Sequence, residues 1–79
     1  MKCITIRLNQ INKLNQFICI VNRFPYEMDL RSGRDVRDAK SVLGVLSLDL
    51  KQPLSLEIHH DSCDTLLKEL SPFIEADSA

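Results

Sequence analysis

What most restricts the fold of this chain is the order in which its apolar spacing changes along the sequence. Ile4, Ile6 and Leu8 alternate with Thr5 and Arg7, the two-residue period of a strand with one buried face. Beyond the polar pair Asn9-Gln10 the period lengthens. Leu14, Phe17, Ile18 and Val21 fall at i, i+3, i+4 and i+7, one stripe of an amphipathic helix. Asn9 or Asn12 is suited to cap that helix, and Phe24-Pro25 closes it, because the residue before a proline is driven out of helical geometry. Tyr26, Met28 and Leu30 then alternate with Glu27, Asp29 and Arg31, so a second strand carries a charged outer face. Ser32-Gly33 is read as the turn of a hairpin, with a short edge strand over Asp35 to Ala39 whose main apolar residue is Val36.

The second half repeats the alternation of periods. Ser41 is placed to cap a short helix whose Val42 and Val45 are expected to face the core, with Gly44 as a weak helix former inside it. Pro53 stands where a strand can begin, and Leu54, Leu56 and Ile58 alternate with Ser55 and Glu57 as the fourth strand. Asp61 and Ser62 offer a helix start, Cys63, Leu66, Leu67 and Leu70 form its stripe, and Pro72 is expected to end or kink it. Phe73 and Ile74 are expected to cover the core beyond that break, and Asp77 to Ala79 to fray. The order is therefore βαββαβα. A helical crossover makes the first two strands parallel and leaves a gap between them that the fourth strand fills antiparallel to both. The expected fold class is α+β: an open-faced β-sandwich, a four-stranded antiparallel sheet with three helices on one face, as a single domain over residues 1–76.

Size and charge then remove function classes. A chain of 79 residues buries only about 60% of its unfolded surface, enough for one sheet and helix layer but not for a deep substrate cavity. No acid pair, glycine-rich phosphate loop or nucleophile with a base stands out, so no catalytic set and no cofactor are expected. Arg31, Arg34, Arg37 and Lys40 suggest a basic ridge, but Asp29, Asp35 and Asp38 are interleaved and the net charge is -1, which argues against nucleic acid. Cys3, Cys19 and Cys63 form an odd set without CxxC spacing, read as reduced core residues rather than a disulfide framework or zinc site. The most apolar run, Phe17 to Val21, is too short for a bilayer, and no signal region precedes it, so a cytoplasmic, membrane-free monomer is expected.

The run Asp38-Ala-Lys-Ser-Val-Leu-Gly-Val-Leu-Ser-Leu48, together with the element order, resembles the histidine-containing phosphocarrier protein (HPr) family of the bacterial phosphotransferase system. Its most specific part is Lys40 to Leu48, which is similar to the family's regulatory-serine region; the remainder of the chain matches by pattern. The resemblance implies a sheet in the order one, four, two, three with three helices on one side. It also implies a histidine in a Gly-x-His-x-Arg-Pro motif at the start of the first helix, where helix amides and an arginine stabilise a phosphoryl group. Here that stretch is Asn9-Gln-Ile-Asn-Lys-Leu14, shorter than the family's loop and without histidine, glycine or Arg-Pro. Ordinary phosphoryl carriage should therefore be lost.

Only the serine region carries over. In members with this feature a dedicated HPr kinase/phosphatase modifies the serine, the adjoining helix meets partners such as a transcription regulator of carbon use, and one branch keeps the serine without the histidine. The local residues fit a plain helix cap at Ser41, worth about 1 kcal/mol; the resemblance adds phosphorylation of Ser41, and the two roles are compatible. Leu43 and Leu46 would face a partner, flanked by Lys40 and Ser47, or else pack under the neighbouring loop. The expectation is a non-catalytic regulatory or adaptor protein. The alternatives are a phosphocarrier using His59 or His60, or a relic fold with an unrelated binding role. Adjacent strand residues point to opposite faces, so His59 and His60 should not chelate one metal together, and Asp61 beside them would repel a phosphoryl donor. Solvated turn histidines are the plainer reading.

Overall fold

The computed structural model describes residues 1–74. β1 (Lys2–Ile6), α1 (Ile11–Asn22), β2 (Met28–Ser32), β3 (Asp35–Asp38), α2 (Val42–Leu46), β4 (Leu54–Ile58) and α3 (Asp64–Leu70) follow one another, and a single 3-10 turn over Ser71–Phe73 closes the described chain. The four strands make one sheet in the order β1-β4-β2-β3 with every pair antiparallel. The α+β open-faced sandwich expected from the periodicity is the fold observed. The expectation that Asp77 to Ala79 fray lies outside the described residues, as does the end of the 1–76 domain.

The two-residue period decides the faces. In β4, Leu54, Leu56 and Ile58 are buried while Ser55 and Glu57 are partly open, and the register carries this across the sheet: Ile4 opposite Leu56, and Leu56 opposite Leu30. The buried side of that layer meets the helix stripes. Leu14, Phe17 and Val21 of α1, Val45 of α2, and Leu66 and Leu70 of α3 complete the core, and Phe17 meets Phe73 edge to face with ring centroids 6.3 Å apart. Each of these large side chains gains about 1.5–3 kcal/mol from leaving water. Among the described residues no polar or charged residue is buried. The 3-10 turn is tied to the end of β1, since Ile74 bridges Ile6 and the Arg7 amide donates to the Phe73 carbonyl at 2.9 Å.

Several local expectations are corrected. Neither Asn9 nor Asn12 caps α1. Gln10 occupies the cap with extended backbone and no side-chain bond, and Asn12 lies inside the helix, whose start is set by the phase that buries Leu14. The hairpin turns at Gly33-Arg34, one residue later than Ser32-Gly33, because Gly33 supplies the positive φ of 59°. α3 begins at Asp64 with Cys63 as its cap residue, rather than at Asp61 or Ser62, since Cys63 is drawn into the core. Cys63 is the one buried cysteine. Cys3 faces out from the open side of the sheet and Cys19 from the outer side of α1, so neither is a core residue. Finally, Val42 is 47% exposed rather than core-facing. α2 has barely more than one turn; Val45 and Leu48 are its buried apolar side chains, and Val42 and Leu46, four residues apart, share its outer side.

Candidate functional site

α2 rests on the hairpin edge, and short-range chemistry fixes it there. Ala39, fully buried, donates its amide to the Met28 carbonyl at 3.0 Å, which ends the β3 pairing and turns the chain inward. The Asp38 carboxylate accepts from the Lys40 amide at 3.0 Å, and the Asp38 carbonyl from the Ser41 amide at 3.0 Å. The partly exposed Ser41 then caps α2: its Oγ accepts from the Gly44 amide at 3.2 Å, and its carbonyl from Val45 at 2.9 Å. A Cβ on Gly44 would lie 3.3 Å from the Arg37 Cβ and from Ser41 Oγ, so the missing side chain is what lets the helix lie close against β3. At the other end Ser47 Oγ donates to the Gly44 carbonyl at 2.6 Å and accepts from Arg37 Nε at 3.1 Å.

These contacts place each residue expected to bind a partner. Leu43 is 82% exposed and Leu46 49%, so both face solvent rather than packing under a loop. Ser47 is exposed but hydrogen-bonded within the domain. Lys40 sends Nζ to the Phe24 carbonyl at 2.6 Å, at the end of the segment that follows α1, so its ammonium is engaged in the scaffold. Asn22 Nδ2 donates to the Lys40 carbonyl at 3.2 Å and ties the same junction.

Two further residues were not found from the sequence. Val42 joins the exposed row, and Ile11, the first residue of α1, is 72% exposed. A shallow apolar groove lined by Leu8, Ile11, Leu14, Leu46 and Leu50 connects the start of α1 with the outer side of α2. Leu46 lines this groove with Ile11 and shares α2 with the exposed Val42 and Leu43. Ile11 lies three residues before Leu14, so helical spacing alone would have placed it on the buried stripe; its exposure follows from its place in the unpacked first turn.

The histidine pair divides as strand geometry requires. His59 continues the open face beyond β4, with its amide on the Glu27 carbonyl at 2.9 Å and Nε2 2.9 Å from Asp29 Oδ2. His60 turns the other way and stacks on Tyr26, centroids 4.3 Å apart. Beside His59, Arg31 Nε donates to Glu57 Oε2 at 2.9 Å.

The chain matches no family model, and no curated protein sequence matches it. Solved structures do match. HPr-C-His from Thermoanaerobacter tengcongensis is 22% identical with a TM-score of 0.75, covering 91% of this chain and 89% of that one. The phosphocarrier protein HPr of Bacillus anthracis str. Ames is 18% identical, with a TM-score of 0.69 and 94% of each chain covered. A histidine-containing phosphocarrier protein from mycoplasma is 8% identical, with a TM-score of 0.68 over 90% of this chain and 86% of that one. The fold is that of HPr. Among the described residues no helix is long and apolar enough to cross a membrane.

Proposed function

We propose that this chain is an HPr-like regulatory or adaptor protein without catalytic activity, which binds a protein partner through the Ile11, Val42, Leu43 and Leu46 surface and is switched at Ser41. The observation that carries the reading is the adjacency of a partly exposed capping hydroxyl and a run of exposed leucines on one short helix. Scattered exposed apolar residues need no explanation, but three on one short helix, with Leu46 also lining an apolar groove, have the character of a contact surface. The first turn of α1 supports the same direction. Where the resembling family needs an imidazole and an arginine to handle a phosphoryl group, this helix starts with Gln10 and an exposed Ile11, which suits apolar contact and not anion binding.

Phosphorylation would transfer the γ-phosphoryl group of ATP to Ser41 Oγ, releasing ADP and passing the hydroxyl proton to a base of the kinase. The product carries about -1.5 to -2 charge two residues from Leu43 and changes the affinity of an apolar partner. By the resemblance, the modifying enzyme is an HPr kinase/phosphatase and the partner a transcription regulator of carbon use; the setting is cytoplasmic and the chain a monomer. Incubation with such a kinase and ATP, followed by mass spectrometry, should locate a phosphate on Ser41. Pull-downs should lose a partner with Leu43→Ser and change it with Ser41→Asp. An unmodified Ser41 and identical partners for all three proteins would sink the reading. Phosphoryl carriage on His59 or His60 has less support, because His59 stands among carboxylates that repel a phosphoryl donor and His60 is stacked against Tyr26.

A further inference from the structure

We propose that the open face of the sheet binds one divalent transition-metal ion between the imidazole of His59 and the carboxylates of Asp29 and Glu57. This site is separate from the α2 surface, which belongs to the helical side of the sheet, and it stands or falls independently of the proposed function.

The antiparallel register creates it. Asp29 of β2 is opposite Asp38 of β3 on one side and Glu57 of β4 on the other, so three carboxylates stand in one row across three strands. Like charges directly opposite one another destabilise a sheet, and such a row is relieved by a cation. His59 follows Glu57 by two residues, hence on the same face, and its amide bond to the Glu27 carbonyl holds it in line with the strand. One ligand atom from each of His59, Asp29 and Glu57 lies within 4.8 Å of the others. Bonds of about 2.0–2.2 Å to a central ion bring donor atoms roughly 3–3.5 Å apart. The remaining approach of at most about 1.3–1.8 Å is within the reach of side-chain rotation. Arg31, which donates to Glu57 Oε2 at 2.9 Å, orients that carboxylate from outside and leaves its second oxygen for the ion.

The donor set names the metal class. One imidazole with two carboxylates suits zinc and its neighbours in the transition series, whereas magnesium and calcium favour all-oxygen shells. On binding, the Nε2 hydrogen that Asp29 now accepts is displaced, released to water from an imidazolium or moved to Nδ1 by a change of tautomer, and the Nε2 lone pair goes to the metal, so the present contact with Asp29 is exchanged for shared coordination. The other coordination positions go to water. The carboxylates that make His59 a poor phosphoryl acceptor are thus the groups that make it a good metal ligand.

Zinc titration by calorimetry into untagged protein tests this, in a Cys3→Ser, Cys19→Ser background that removes the exposed thiols as competitors. The expected result is saturable uptake of one ion per chain, with the NMR signals of Asp29, Glu57 and His59 moving on the unsubstituted ligand set. Loss of an outer-sphere partner alone typically costs about 10–100-fold in metal affinity, so His59→Asn should weaken binding at least about tenfold, and His60→Asn should leave it unchanged. Asp29→Asn, which removes the central like charge, should abolish the zinc-dependent rise in melting temperature without lowering the melting temperature of the zinc-free protein. Absence of saturable uptake at about 1 mM zinc, equal weakening by His59→Asn and His60→Asn, or magnesium binding as tightly as zinc would overturn the proposal.

Discussion

Removing the Ser41 hydroxyl should cost more than its place on a five-residue helix suggests. At its N-terminus α2 has one side-chain capping hydrogen bond, from the Gly44 amide to Ser41 Oγ at 3.2 Å, and that one turn holds Val45, fully buried, and Leu48, 6% exposed, over the hairpin edge of the core. Ser41→Ala leaves the Gly44 amide without its partner in a part-buried position, a loss of about 1 kcal/mol for a cap of this kind. A domain of this length has a total stability of roughly 4–12 kcal/mol, and about 1 kcal/mol translates into a fall of about 4–8 °C in melting temperature. Ser41→Asp supplies a carboxylate acceptor one atom further from the backbone, about as good a cap as serine, and should stay near the parent value. Ser41→Gly should cost only a few tenths of a kcal/mol, because glycine is itself a tolerable cap. Thermal and urea unfolding followed by circular dichroism measure all three. If Ser41→Ala unfolds within about 0.3 kcal/mol of the parent, or Ser41→Gly falls below it, the capping account of this segment is wrong. The order also has a practical consequence: alanine at this position confounds loss of phosphorylation with loss of stability, and Ser41→Gly is the better unmodifiable control.

Three other outcomes follow from packing and backbone geometry. Phe17→Ala removes a fully buried ring that meets Phe73 edge to face; a loss of about 3–5 kcal/mol is expected, read as a fall of about 12–40 °C in melting temperature. Gly33→Ala forces a side chain into the left-handed region at φ 59° and should cost about 1 kcal/mol in urea unfolding, even though a Cβ there would meet nothing within 4 Å. A thiol reagent added to the folded protein should titrate Cys3 and Cys19 promptly and Cys63 only on denaturation, since only Cys63 is buried. Reaction of all three at one rate would contradict this core.

The periodicity carried the fold because each spacing has one geometric solution. Leu54, Leu56 and Ile58 share a face only if the segment is a strand, and Leu14, Phe17 and Val21 only if theirs is a helix. Connection rules then ordered the sheet, and β4 does fill the gap between β1 and β2. Ser41 was legible as a cap for the same local reason, a hydroxyl three residues before the amide that it accepts from.

What the sequence alone determined is therefore what depends on neighbours a few residues apart: strand, helix, cap and buried face. Only the tertiary structure decided which surfaces exist. Ile11 and Leu46 line one groove although 35 positions separate them, and Asp29 meets His59 across a separation of 30. Val42 carries the spacing of a core residue yet lies outside, because α2 is too short to bury more than one side. Periodicity fixes the direction of a side chain relative to its own element; what lies in that direction depends on strand register and helix length, which are settled only when the whole sheet and its helices pack together.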